Sequence, residues 1–194
     1  TSEGPTTRPS NRRALILDAA IGLFREGGYP ATSVDDIGKA VDVSGPAIYR
    51  HFSSKEEILL EAIRLAADEV HAANGEARNS TADPRTLLAA YIRAYVACAL
   101  DRSALIAVWT TEARHLSSER RSPMTRRLRS WSNEWVEALT ATRPELSTEQ
   151  ARVLVGGAIG LITSLATNDD GSLGRAQLSG MITAMALATL DTPF

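Results

Sequence analysis

At 194 residues the chain has room for a small amino-terminal unit and one larger core, and its 44% hydrophobic content fits an ordinary globule rather than disorder. A formal net charge of −2 gives no overall sign of nucleic-acid binding, although screening beyond about 10 Å makes distant acidic residues nearly irrelevant to a local phosphate contact. The single Cys98 excludes an internal disulfide framework, and with no charged-then-apolar leader at its start the chain is expected in the cytoplasm.

Thr1 to Ser10, TSEGPTTRPS, is polar and aperiodic and reads as a flexible tail. Its second reading is a basic arm in which Arg8, Arg12 and Arg13 reach phosphates or a minor groove. From Asn11 to Glu26, Ile16, Ala19, Ala20, Leu23 and Phe24 recur as one buried stripe of a helix, and Gly27-Gly28 stops it. After Tyr29-Pro30-Ala31-Thr32, Ser33 or Thr32 can cap a second helix, with Asp36 or Asp35 three residues on. Asp35 is expected to cap the helix or to face solvent.

Ile37, Ala40 and Val41 continue the helical spacing, Asp42-Val43 makes a tight connection, and Ser44 can cap a further short helix that carries Ile48 and Phe52 inward. With Ile48 inward, a rotation of about 100° per residue puts Pro46 and Arg50 on the opposite face, flanked by Ala47 and Tyr49. The stretch Ser33 to Lys55 therefore has the shape of a helix-turn-helix that reads a DNA major groove.

In Thr32-Ser33-Val34, Asp36-Ile37, Ile48-Tyr49-Arg50-His51-Phe52 and Ser54-Lys55-Glu56-Glu57-Ile58-Leu59 the chain resembles the tetracycline-repressor (TetR) family of bacterial regulators. The resemblance covers about the first third of the chain; beyond it only the helical plan matches. It implies a head in which Tyr49, His51 and Lys55 hold phosphates, and it sets Asp35 near the groove, where a carboxylate can accept from a cytosine, although capping or solvation suits that residue better. Arg50 is expected to read a base edge, most plausibly guanine, while Ser33, Ser44, Gly45, Pro46 and Ala47 complete the DNA-binding surface.

Ser54 opens a helix whose stripe, Leu59, Ala62, Ile63, Ala66 and Val70, runs to Asn74-Gly75 and connects head to body. Pro84 starts the next, with Leu87, Leu88, Tyr91, Ile92, Tyr95 and Val96. Leu105, Ile106, Val108 and Trp109 mark another run to His115; an Arg-rich connection, Ser117 to Pro123, follows, then a helix with Leu128, Trp131, Trp135 and Leu139. These three stretches concentrate the scarce aromatics. They are expected either to pack solid or to enclose a ligand with Tyr91, Tyr95, Trp109, Glu112, Trp131 and Trp135.

From Thr148 to Asn168, Gly156, Gly160 and Ser164 form a stripe of small residues, and the last helix, Arg175 to Leu190, offers Gly180, Ala184 and Ala188 in register. An interior Gly costs about 1 kcal/mol relative to Ala, so close helix approach is the expected compensation. The resemblance implies that this pair meets its two-fold mate as a dimer interface; the residues alone also permit an ordinary intramolecular core. Val153 to Ala166 is apolar but shorter than the ~20 residues of a membrane span.

Glu112 and His115 form a Glu-x-x-His half-site, but no second such pair occurs, and neither a nucleophile turn nor a phosphate-binding Gly loop is present. No cofactor, metal or catalytic residue is expected. The expectation is an all-α chain: a flexible tail to residue 10, a helix-turn-helix domain over 11–53, and a regulatory, dimerising body over 54–194 with 54–75 as connecting helix. It is read as a cytoplasmic homodimeric repressor of an inverted-repeat operator on double-stranded DNA, with no membrane partner. Its effector would be a small apolar or amphipathic molecule; the Arg114 to Arg129 segment is compatible with an anionic head group such as that of an acyl-CoA. A helical-bundle enzyme and a helical adaptor without DNA binding are the alternatives.

Overall fold

The computed structural model describes residues 9–193, apart from the side chains of residues 9–11 and of Leu128. Nine α-helices account for most of these residues: α1 (Pro9–Gly27), α2 (Val34–Ala40), α3 (Gly45–Ile48), α4 (Lys55–Ser80), α5 (Pro84–Asp101), α6 (Ser103–Glu112), α7 (Ser118–Thr142), α8 (Thr148–Thr167) and α9 (Arg175–Leu190). A 3₁₀ turn, Ala113–His115, joins α6 to α7, and the described residues contain no strand. The all-helical expectation holds.

Burial follows the apolar stripes. Ile16, Ala20 and Phe24 of α1, Ile37 of α2, Ile48 of α3 and Phe52 beyond it are all at most 1% exposed and close over the start of α4 through Ile58 and Leu59. Fully burying an aliphatic side chain is worth about 1.5–3 kcal/mol, which is how helices as short as α2 and α3 persist. The long α4 continues from this head between α5, α6 and α7, and α8 and α9 pack on α5 beyond. Cys98 is buried on α5, where desolvation pushes its thiol up to about 11.

Three boundaries differ from expectation. Pro9 and Ser10 already belong to α1, and Arg12 and Arg13 are fasteners within it rather than parts of an arm. Arg12 donates to the Val41 carbonyl at 3.2 Å, while Arg13 pairs with Glu61 at 3.0 Å and lies 4.4 Å from the centre of the Phe52 ring. The rest of the expected tail, including Arg8, lies outside the described residues. Helix α4 runs through Asn74-Gly75 to Ser80, because Asn74 is 1% exposed and satisfied on both sides of its amide. Its Nδ2 donates to the Trp131 carbonyl at 3.2 Å and its Oδ1 accepts from Trp135 Nε1 at 3.1 Å. Finally, α7 begins at Ser118, with Ser117 at its N-cap, and contains Pro123, so Ser118 to Pro123 is helix rather than connection.

Candidate functional site

The turn between α2 and α3 is set by the backbone. Val41 and Val43 both donate to the Gly38 carbonyl, at 3.2 and 2.9 Å, and Asp42 takes a left-handed φ of 54° between them. Gly38 is buried, and a Cβ there would stand 2.6 Å from the Val43 carbonyl oxygen. Only glycine allows this approach. Across the turn, a Cβ on Gly45 would collide with the Asp35 carboxylate, so Asp35 sits against the start of α3.

Of the two candidate caps for α2, Ser33 is the one used. Its hydroxyl accepts from the Asp36 N–H at 3.1 Å and donates to the Asp36 carboxylate at 2.5 Å, and the carboxylate also accepts from the Ser33 N–H at 3.0 Å; these last two bonds, the hydroxyl's first, hold the Asp36 carboxyl below its ordinary range. Thr32 is buried instead, donating to the Gly28 carbonyl at 2.9 Å. Ser44 occupies the N-cap position of α3 without a side-chain capping bond, since Pro46 has no N–H and Ala47 bonds the Ser44 carbonyl at 2.9 Å. Its exposed hydroxyl is left for other partners.

With Ile48 fully buried, Pro46 and Arg50 are exposed, Ala47 and His51 are half-buried, and Tyr49 is 54% exposed. Ser33, Gly45, Pro46, Tyr49 and Lys55 line one shallow depression where α2 and α3 begin. Lys55, however, has internal duties. Its ammonium donates to the Tyr29 and Thr32 carbonyls, both at 2.8 Å, and lies 4.3 Å from the Tyr29 ring centre, leaving one N–H for a further acceptor.

Tyr29 is where head meets body. Its N–H donates to Glu112 at 3.0 Å, its ring stacks on His115 with centroids 5.6 Å apart, and Phe24 meets it edge-on at 5.3 Å. Burial, and then the Glu56 charge, raise the Tyr29 phenol. Glu112, expected in a ligand pocket, thus faces the head. It approaches His115 at 3.5 Å, and no group of three metal-ligating side chains occurs among the described residues. Beside this junction Glu56 accepts from the Ser117 N–H at 2.9 Å, which keeps its carboxyl below the ordinary range.

The remaining expected ligand residues do not surround a gap. Tyr91, Tyr95, Trp131 and Trp135 are each at most 3% exposed and fill the space between α5 and α7 with their own rings. Tyr95 lies 5.1 Å from Trp131 and 6.0 Å from Trp135, Tyr91 stacks on Trp135 at 6.1 Å, and the two indoles meet edge-on at 5.7 Å. The Tyr91 hydroxyl donates to Glu134 at 3.2 Å, and the Tyr95 hydroxyl shares a 2.8 Å hydrogen bond with Thr163. Burial is the main cause that pushes both phenols up to about 12. Trp109 is half-buried on α6, outside this aromatic group. Solid packing, one of the two expectations, is what the aromatics adopt.

Open space lies one helix further along. A groove of about 680 Å³ separates α7 from α8, with Trp131, Val136, Val155 and Ile159 as apolar lining and Arg129 and Arg152 beside them. The Trp131 indole N–H is buried and finds no acceptor among the described residues, a situation that costs about 1–3 kcal/mol. Periodicity cannot announce such a groove, because it depends on how far two helices diverge.

On α8, Gly156, Gly160 and Ser164 are exposed, and neither glycine has an atom within 4 Å of where a Cβ would stand. Gly180, Ala184 and Ala188 of α9 are also exposed. The two stripes therefore do not interlock within the chain; the intramolecular α8–α9 approach uses Gly157 against Thr189 instead. Val153 (71% exposed), Leu165, Met181 and Met185 share these exposed faces, whereas Gly180 and Ala184 line a separate depression with Arg93. At 20 residues and a mean hydropathy of 1.3, α8 is also long and apolar enough to meet a membrane-span criterion, which the shorter apolar run in the sequence does not suggest. Ala151, Leu154, Val155, Ala158, Ile162 and Ala166 are nevertheless buried against the rest of the protein.

Comparison with known proteins gives this arrangement a lineage. Residues 16–62 match the family model of bacterial regulatory proteins of the tetR family, and residues 81–190 match that of the tetracyclin repressor-like C-terminal domain. A repressor from Rhodococcus jostii, the HTH-type transcriptional repressor KstR2, is 35% identical over 117 residues, 60% of this chain and 57% of the relative, so the chain spans less than two thirds of that protein. Among solved structures, a TetR-family transcriptional regulator from Bordetella parapertussis shares the fold with a TM-score of 0.83 at 23% identity, covering 91% of this chain and 94% of that one. AibR, solved in complex with isovaleryl coenzyme A and operator DNA, has a TM-score of 0.78 at 21% identity over 90% of this chain and 97% of its own. With both family models matched in order and the second alone covering more than half of the residues, the chain belongs to the TetR family of bacterial regulators.

Proposed function

We propose that this protein is a homodimeric, ligand-responsive transcriptional repressor that binds an inverted-repeat operator. The head, residues 11–53, reads the DNA; the body, residues 54–194, binds the effector and dimerises. The observation that carries this reading is the exposed group Ser44, Pro46, Tyr49 and Arg50, set on a scaffold whose inward residues Ile37, Ile48 and Phe52 are fully packed. Arg50 takes a guanine edge, Ser33 and Ser44 offer hydroxyls, Gly45, Pro46 and Ala47 give close approach, and Tyr49 and His51 take phosphates. The spare N–H of Lys55 adds one more phosphate contact.

The exposed α8 and α9 faces support a two-fold dimer that sets the heads roughly 34 Å apart, one turn of duplex. An effector that favours another spacing lowers operator affinity by about 1–3 kcal/mol, and DNA weakens the effector by the same factor. The AibR complex with isovaleryl coenzyme A supports an acyl-CoA-like effector. Operation on chromosomal DNA supports a cytoplasmic location. Selecting bound fragments from the host genome and assaying retardation of the recovered sequence tests the reading; equal retardation of random DNA of the same length would refute it. Gly160→Leu should convert the dimer to monomer in sedimentation without loss of helicity, and an unchanged dimer would remove α8 from the interface.

A further inference from the structure

The groove between α7 and α8 joins a cavity, an unsatisfied donor and two cationic side chains. Trp131 is 3% exposed, yet its indole Nε1 has no acceptor among the described residues, and Trp131 lines the groove. An indole N–H can only donate, so what it lacks is an acceptor atom. Val136, Val155 and Ile159 supply apolar wall, and Arg129 and Arg152 stand exposed beside it. Neither guanidinium is ion-paired within the described residues, and no carboxylate lines the groove. The depression between α4 and α5 differs on each count: Glu69, Glu76 and Asp101 line it, and its Arg102 is held by Glu69 at 3.3 Å.

We propose that the α7–α8 groove is the effector site and takes an amphiphile with an anionic group. The anion sits with Arg129 and Arg152, the apolar body lies along Val136, Val155 and Ile159, and an acceptor atom reaches the Trp131 indole once a small shift of the wall uncovers its enclosed N–H. This rests on the regulator reading given above and adds a location and a ligand class. The location also supplies a route for the response. Gly156 belongs both to the groove wall and to the exposed stripe of α8, so an occupant lies directly beside the surface proposed for dimerisation.

Calorimetric titration of the full chain with decanoate, decyl phosphate, decanol and decyltrimethylammonium, below their micelle concentrations, tests the site. At least one anion should bind about tenfold or more tightly than decanol, with the cation weaker still. Preference for decanoate identifies a carboxylate, and preference for decyl phosphate a phosphate. The doubly substituted Arg129→Gln/Arg152→Gln protein should lose the preference, and Trp131→Phe, which keeps a ring but removes the N–H, should weaken the anion about fivefold or more. Both arginines are exposed, so the double variant decides the matter even if Trp131→Phe melts early. Equal affinity for decanol and the anions, or anion binding unchanged in the double variant, overturns the proposal. Operator retardation by the ligand-free protein is read in parallel: intact retardation without anion preference sinks the groove alone, whereas absent retardation sinks the regulator reading.

Discussion

Head and body use their conspicuous residues in opposite ways. In the head, the side chains with no work inside the fold, Ser44, Pro46, Tyr49 and Arg50, stand out on the second helix of the motif and at its two ends, while plain aliphatics and Gly38 fix the geometry. In the body, the residues most noticeable by type, Tyr91, Tyr95, Trp131 and Trp135, are consumed by packing against one another. Chemical conspicuousness thus marks the proposed binding surface in one region and the core in the other. What separates the cases is whether a side chain has satisfied its contacts internally, and Trp131 is the informative exception because its ring is packed but its N–H is not.

The contrast can be broken most severely at Gly38. Gly38→Val forces a Cβ toward the Val43 carbonyl and should cost about 3–5 kcal/mol, abolishing operator retardation and amide-exchange protection in α2 and α3 while the body keeps its helicity. Full retardation by that variant would show that the head tolerates a different turn. In the body, Asn74→Ala strands the Trp135 indole N–H and removes the second donor to the Trp131 carbonyl, and should lower stability by about 2–3 kcal/mol in denaturant melts. A loss within about 0.5 kcal/mol would mean that water replaces the amide.

Arg50 and Lys55 sharpen the comparison within the head. Arg50→Ala should leave Tm unchanged and cost about 1–3 kcal/mol on the preferred operator only, whereas equal loss on random DNA would make Arg50 a phosphate contact. Lys55→Ala should act on both sides, lowering stability by about 1 kcal/mol through the lost bonds to the Tyr29 and Thr32 carbonyls and weakening all DNA together. An unchanged Tm would assign Lys55 wholly to DNA.

The smallest expected effect is on pH dependence. Asp36, Glu56 and Glu57 all have carboxyls held below their ordinary values, by hydrogen bonds from Ser33, Ser117 and Ser53 respectively. Groups lowered in the folded state stabilise it above the unfolded carboxylate range and lose that contribution as pH falls through the depressed values. Tm should therefore stay level from neutrality to about pH 5 and fall below about pH 4, less steeply in Glu56→Gln than in the parent protein. An identical acid slope in the variant would show that Ser117 makes no difference to Glu56.

Periodicity exposed the helices and most of the core, because Ile16, Ile37, Ile48 and Phe52 each follow from which way a helix faces. It also places Pro46 and Arg50 outward, where both are exposed. Gly38 was not legible, since its constraint is a carbonyl arriving from five residues away across the turn. Asn74 misleads for another reason: a polar residue followed by Gly75 has the form of a helix end, and only the two tryptophans of α7 explain its burial within α4. Glu112 belongs to the same class, its partner Tyr29 being distant along the chain. The exposed side of α8 was visible as a stripe of small residues, but whether that stripe meets α9 or solvent is a matter of helix rotation.

The buried thiol of Cys98 carries a practical consequence for measuring any rearrangement. With its proton affinity pushed up to about 11, only on the order of one molecule in a few thousand holds a thiolate at pH 7.5. The chain has no other cysteine. A cysteine introduced at an exposed position such as Arg85 on α5 or Ala31 in the α1–α2 turn would then be the one fast-reacting nucleophile, and a maleimide or nitroxide could be attached without first deleting the native residue. Pulsed spin–spin distances between the heads of the proposed dimer, with and without a candidate effector, become accessible on an otherwise unaltered core.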